Sequence, residues 1–511
     1  MILTLRILTI ALLTLLAPIA AVSQHQELRL KGQIKVEDAD DQIVAEKLLP
    51  GENRLLLVRR NNIQVWNSAT TTLVASRPID VPHLTEDDTR IISPSGRFMF
   101  VFGNYKSGAK HDKIKRSASV WNLETGKQIA AFDQKRTQYA RWSMNGRTLV
   151  TANEKIDKIP RLKPAPMEIS FWDGESLQHL NTLHVENLNW SYLTEDGRKF
   201  FYSTAKVRSL VVFKYYSFSG GPINLWDIEK GNVEQVIVAN RSVPEQGLHS
   251  ISVSPDERFL TFITQPLKSK DTERTIVVWS IDKTLPIYQM NRRYEIKPTP
   301  KISDWSASFS PDGKYLALIT AKGAYGPYGK GIFVQIYTAD AGAKLAEFTE
   351  RIAPTNWFNG NQILLFNYGS KMKAVELATG KQLYENKMIY DAYQETEGST
   401  LESMIIPGTP DNDISYGPWV VLDETKIVPH PNDRLFLTYS KEYVKVYDAK
   451  TGAVLQTLVE PPIDISKPVD PGQKPRLKRG PLVSKADWCN DGNVVYAVSA
   501  EQKTVSFWSM D

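Results

Sequence analysis

Seven histidines and one cysteine bound the metal and nucleophilic chemistry open to this 511-residue chain. The histidines are His25, His83, His111, His179, His184, His249 and His430. A metal centre needs three or four donors converging on one point. These imidazoles are scattered along the sequence. His179 and His184 are an odd number of residues apart, which puts them on opposite faces of a strand. The expectation is surface or strand-edge histidines and no metal. Cys489 lies in Trp488-Cys489-Asn490-Asp491-Gly492 and is read as a small turn residue, because no activating base adjoins it. The chain has no Cys-x-x-Cys-His haem attachment, no Gly-x-Ser-x-Gly elbow and no phosphate-cradling Gly-x-x-x-x-Gly-Lys loop. No cofactor is expected.

What the chain does concentrate is cationic and aromatic side chains. Lys113, Lys115 and Arg116 fall together, as do Arg161 with Lys163, and Arg476 with Lys478 and Arg479. Tyr215, Tyr216 and Phe218 end an apolar run that begins at Val211. Tyr325 and Tyr328 occupy a glycine-rich stretch. Lys and Arg recognise carboxylates, and aromatic side chains anchor protein interfaces. This is the chemistry of holding a partner rather than of making bonds. The net charge of +5 is too small over this length to imply a nucleic-acid partner by itself.

The first residues form a targeting segment. Arg6 precedes an uncharged apolar stretch from Ile7 to Leu16, and Ala17 to Ser23 supplies a break and small residues for cleavage. The stretch is shorter than the roughly 20 residues of a membrane span. The reading is a signal peptide over 1–23 and a mature chain over 24–511 that has no transmembrane span. A nearly cysteine-free exported chain fits a periplasmic or secreted location.

These side chains need elements to position them, and the elements come from a repeat. Its clearest copy opens on the turn Ser310-Pro311-Asp312-Gly313-Lys314 and continues through the apolar strands 315–320 and 333–337. Nine copies occur. Their aligned aromatic-like positions are Trp66, Trp121, Trp172, Trp226, Trp279, Tyr337, Glu376, Tyr447 and Trp508. Strand alternation gives each copy two environments, and the Asp-Gly and Asn-Gly pairs supply tight turns. The repeat spacing suits a four-stranded sheet with loops.

The pairs Trp172-Asp173 and Trp226-Asp227, with Tyr447-Asp448 beside them, resemble the WD-repeat β-propeller family over nearly all of the mature chain. The Gly-His pair that opens the family's repeats is absent. The Ser-Pro-Asp-Gly turns resemble bacterial members that act as binding scaffolds. The resemblance implies an all-β, single closed propeller of nine blades, with eight as the alternative. It also implies an aromatic plug between adjacent blades. The chain ends just after Trp508, so strand 27–36 is expected to close the ring by pairing with the last unit, 483–511. Glu124-Thr125-Gly126-Lys127 and Ala378-Thr379-Gly380-Lys381 look like fragments of quinone-dependent dehydrogenase repeats. The docking tryptophan of those repeats is missing, and the segments are read as hairpin turns.

In a propeller, loops between the second and third strands of each blade emerge on one face, together with the inter-blade connections. The long ones are 104–117, 154–167, 205–221, 265–274 and 321–331, joined by the connection 459–482. These six segments hold 22 Lys and Arg against 8 Asp and Glu, so the rest of the chain is net acidic. The expected function is a non-catalytic, exported scaffold, monomeric, binding an anionic protein or peptide on a basic face. The alternative is a propeller hydrolase or lyase acting on an anionic glycan or lactone, with acid-base groups or a metal in the central channel.

Overall fold

The computed structural model describes residues 28–35, 43–49, 53–59, 61–79, 88–103, 118–132, 137–154, 166–186, 188–209, 216–237, 246–266, 275–282, 289–296, 304–321, 332–350, 356–358, 360–367, 371–387, 426–440, 443–459, 483–489, 492–499 and 503–510. The repeat turn is built by its own side chains. Ser310 Oγ donates to Asp312 Oδ1 at 2.8 Å, and Asp312 Oδ1 accepts from the Lys314 amide at 3.0 Å. Ser310 Oγ also accepts from the Tyr315 amide, which starts the next strand. Gly313 closes the turn at φ +70°, a conformation costly for other residues. The same hydroxyl-to-carbonyl-type bond recurs at Ser143–Asn145, Thr194–Asp196 and Ser254–Asp256.

A second local device ends the third strand. In Trp172-Asp173 the Asp173 Oδ1 accepts from the amides of Glu175 and Ser176. Asn67 and Asn122 do the same with their side-chain carbonyls. An Asx turn needs only an acceptor at that distance, so Trp-Asn serves as well as Trp-Asp. Gly126 and Gly380 adopt φ of +69° and +67°, so the Thr-Gly-Lys segments are hairpin turns.

Each unit pairs its four strands in sequential antiparallel order, giving nine blades. Blades one to eight span 43–78, 88–132, 137–185, 188–237, 246–296, 304–350, 356–387 and 426–459. The ninth takes three strands from 483–510 and its outermost from the N-terminus. Leu28–Lys35 pairs with Thr504–Met510, from Leu28 opposite Met510 to Lys35 opposite Thr504. The Gln456 side chain of blade eight grips this strand. Its Oε1 accepts from the Leu28 amide at 2.7 Å, and its Nε2 donates to the Leu28 carbonyl at 2.5 Å.

The core lies between the blades. Phe358, Ile363 and Leu365 of blade seven meet Phe436 and Tyr447 of blade eight. Blade eight meets blade nine through Leu437, Val446, Trp488 and Val495. Blade nine meets blade one through Tyr496, Phe507, Leu55 and Leu57. The remaining six neighbouring pairs share buried clusters in the same manner. First strands of neighbouring blades touch one another in blades one to three, five and six, and seven and eight, so they lie innermost. The fourth strands carry the exposed apolar side chains Leu73, Ile129, Val236 and Val454.

Two expectations need correction. A β-bulge in the fourth strand lies opposite the aromatic position in all nine blades, and in blade seven it falls opposite Ala374 and Val375. Val375, buried against blade six, therefore holds the place expected of Glu376. His430 is not a surface histidine. It replaces the turn serine and is buried, with Nδ1 accepting from the Asn432 amide at 2.9 Å. Its Nε2 lies 3.0 Å from the Gly492 carbonyl of the next blade.

Candidate partner-binding face

Antiparallel order fixes where the connections leave each blade. The first-to-second and third-to-fourth turns share one end. The second-to-third connections and the links to the next blade share the other. The strands that flank 104–117, 155–166, 267–274, 322–331 and 460–482 all end at that second end.

Lys113, Lys115, Arg116, Arg161, Lys163, Tyr215, Tyr325, Tyr328, Arg476, Lys478 and Arg479 lie outside the described residues. Tyr216 and Phe218 are placed, and they correct the reading of 205–221 as a loop. Both belong to the strand Tyr216–Asp227, opposite Ser209 and Val207 of Lys199–Ser209. This hairpin outruns its blade: the innermost strand Leu188–Leu193 stops at the Leu188–Thr204 pair. Beyond that point Gly220 pairs with Leu248 of blade five, which fuses blades four and five into one eight-stranded sheet. Gly221 permits the hairpin's own two strands to approach closely at the register shift after Ser203, since a Cβ there would lie 2.7 Å from the Thr204 carbonyl.

Sequence reasoning missed a second set of charges, on the innermost strands. Glu46 and Lys47 lie on Ile43–Leu49, Arg90 on Asp88–Ile92, and Lys485 and Asp487 on Val483–Trp488. Lys485 Nζ sits 3.0 Å from Glu46 Oε1, joining blade nine to blade one. Burial, and then repulsion from Lys485, holds the Lys47 ammonium below the usual lysine range. Burial pushes the Asp487 carboxyl up. No pattern in the sequence marked them, because sister strands carry residues as different as Arg141, Ser252 and Val428 at the position of Lys47. Among the described residues no three His, Cys, Asp or Glu side chains gather in a way that could hold a metal ion. His179 and His184 are exposed on one outermost strand, where His179 Nε2 meets Thr182 Oγ1 at 2.7 Å and His184 faces Glu168 at 3.9 Å.

The turn end is stitched from blade to blade. Glu257 and Asp433 occupy the glycine position of their turns at φ of +53° and +63°. Glu257 Oε1 accepts from the Glu195 amide of the preceding blade at 2.5 Å and from the Tyr192 hydroxyl at 3.1 Å. Asp433 Oδ2 accepts from the Gly360 amide at 2.9 Å. Both carboxylates reach back to the previous turn, which offsets the backbone cost of a side chain in that conformation.

No protein-family profile matches the chain, and no curated protein does. Solved structures of similar fold include a eukaryotic initiation factor, with 11% identity over 84% of this chain and 90% of that one, TM-score 0.49. The C-terminal WD40 domain of Sif2 shares 12% identity over 95% of this chain and 99% of its own, TM-score 0.40. The Cps50 (Swd1) β-propeller domain of Myceliophteria thermophila shares 13% over 74% and 97%, TM-score 0.32. The likeness is one of architecture, and the fold stands on the strand order and packing described above.

Proposed function

We propose that the protein is an exported, non-catalytic propeller scaffold that holds an anionic protein or peptide on the face where its basic connections emerge. The supporting observation is the shared end of the sheets. The strands flanking segments far apart in sequence end on one side, and those segments hold 22 cations against 8 anions. A cationic surface of this kind steers an anionic partner and slows its escape, and the effect weakens as salt rises. Lys113, Lys115, Arg116, Arg161, Lys163, Arg476, Lys478 and Arg479 supply charge. Tyr215, Tyr216, Phe218, Tyr325 and Tyr328 supply apolar anchors. The export part rests on residues 1–23, with a mature propeller over 24–511 that works as a monomer in the periplasm or outside the cell.

The test uses the mature chain as bait for the exported fraction. A variant carrying Lys113→Gln, Lys115→Gln, Arg116→Gln, Arg476→Gln, Lys478→Gln and Arg479→Gln is compared with the native chain at 50 and 300 mM salt (about 14 and 6 Å of screening length). The expected result is capture that is lost in the variant and at high salt, with the melting temperature unchanged. Capture that survives both changes overturns the electrostatic face. Amino-terminal sequencing of the chain recovered outside the cytoplasm checks the leader: the first residue should be Val22 or Gln24.

A further inference from the structure

We infer that His430 makes the joint between blades eight and nine acid-sensitive, so that the ring loosens there as the pH falls below neutrality. In sister turns this position is a hydroxyl. Ser143, Thr194, Ser254 and Ser310 each accept a backbone amide there, and a hydroxyl does not titrate near neutral pH. Blade eight places an imidazole at the same point and buries it. Nδ1 accepts from the Asn432 amide at 2.9 Å, so it carries no proton. The hydrogen of the neutral ring is then on Nε2, which donates to the Gly492 carbonyl of blade nine at 3.0 Å. Gly492 admits the ring, because a Cβ there would collide with Nε2. Trp488 of blade nine meets the ring at 75°, with centroids 4.5 Å apart.

This geometry suits the neutral ring. A proton on Nδ1 removes the acceptor and sets its N–H against the N–H of Asn432. The unfolded chain has no such restriction and takes up the proton near pH 6.5. The joint's contribution to stability is therefore complete above that value and is lost as the pH falls below it. The charged and titratable groups of the packed elements turn elsewhere. Asp433 reaches back to the Gly360 amide of blade seven, Asp448 accepts from the amides of Lys450 and Thr451, and Arg434 is exposed. Lys426 lies at the far end of the strand that leads to His430. Lys485 pairs with Glu46 of blade one, while Asp487, opposite Tyr496, and Cys489 face the core shared with that blade. Asp491, beside Gly492, lies outside the described residues and enters the test. The joint also seals the ring, since Leu28 of the closing strand shares its core with Trp488.

The experiment unfolds the mature chain in urea at pH 7.5 and 5.0, beside His430→Ser, which installs the sister residue, and Asp491→Asn. At pH 5.0 an ordinary imidazole is protonated about thirtyfold over its neutral form, so the folding constant of the native chain should fall about thirtyfold further than that of His430→Ser. Asp491→Asn should keep the native response. Hydrogen exchange on the native chain, corrected for its chemical rate, decides the question if the variants misfold. Between the two pH values, protection should fall more in 426–440 and 483–489 than in 137–154, a stretch without histidine. An equal pH response in the native chain and His430→Ser, loss of that response in Asp491→Asn, or a uniform change in protection overturns the inference.

Discussion

Lys199 shows how a single buried charge is tolerated. The residue is buried, and its Nζ lies 2.6 Å from Asp227 Oδ2 and 2.6 Å from Glu234 Oε2. Lys230, half in solvent, closes the group through Glu234 at 2.8 Å and Asp227 at 3.3 Å. Burial pushes the Asp227 carboxyl up, but hydrogen bonds from Lys199 and from the Lys230 amide outweigh it and hold the group below its ordinary range. Asp227→Asn leaves Lys199 with Glu234 as its carboxylate partner and removes a hydrogen bond to a charged group, so it should cost about 1.5–3 kcal/mol by urea unfolding at pH 7. A folded pKa below the unfolded one gives stability that is complete above about pH 4 and fades as pH falls through the folded value. The gap between native and variant chains should therefore narrow at low pH. A gap of the same size at pH 7 and pH 3 would show that the charge is immaterial. This Asp is also the Asp of a Trp-Asp pair, so one side chain both ends a strand and neutralises a lysine from the neighbouring strand.

Between the blades, the recurring element is a β-bulge in the fourth strand, opposite the aromatic position of the third. That third-strand side chain packs toward the preceding blade: Trp121 toward blade one, Trp226 toward blade three, Tyr337 toward blade five, Trp508 toward blade eight. In the first three blades the indole N–H is satisfied locally, whereas those of Trp226 and Trp279 are buried with no hydrogen-bond partner. Trp66 donates to Gln64 and Trp121 to Ser119, both two residues back, and Trp172 donates to Thr151 on the adjacent strand. A polar residue one step along the same face thus supplies the acceptor, and these blades hold their tryptophans without the Gly-His pair. Trp226→Ala should cost about 3–5 kcal/mol through the cavity it opens between blades three and four. Chemical denaturation is the measurement, and an unchanged midpoint would contradict the packing role. Most of this was legible beforehand, because a turn bond spans five residues or fewer and the third-strand aromatic keeps its place in the repeat. The seventh blade was misread by one position because Val375 has no aromatic ring to mark it.

At the scale of the molecule, the N-terminal strand joins the two ends of the chain. Leu28 and Ile34 are buried, in the cores between blades eight and nine and between nine and one. Deleting residues 28–35 removes both side chains from those cores and bares the edge of Thr504–Met510. The expected loss is about 3–6 kcal/mol, from burial of two large aliphatic side chains. Thermal unfolding of the shortened chain measures it, and a transition at the native temperature would show that the strand is dispensable. The blade count, the turn chemistry and the sorting of cations into a few connections were determined by the sequence alone, since each depends on residues close together in the chain. The inner-edge charges and the hairpin that joins blades four and five were decided only by tertiary structure. Whether Glu46 faces Lys485 or Lys47 depends on which side of a blade each strand position takes and on which blade stands next to it. Contacts between residues at opposite ends of a chain leave no periodic mark in it.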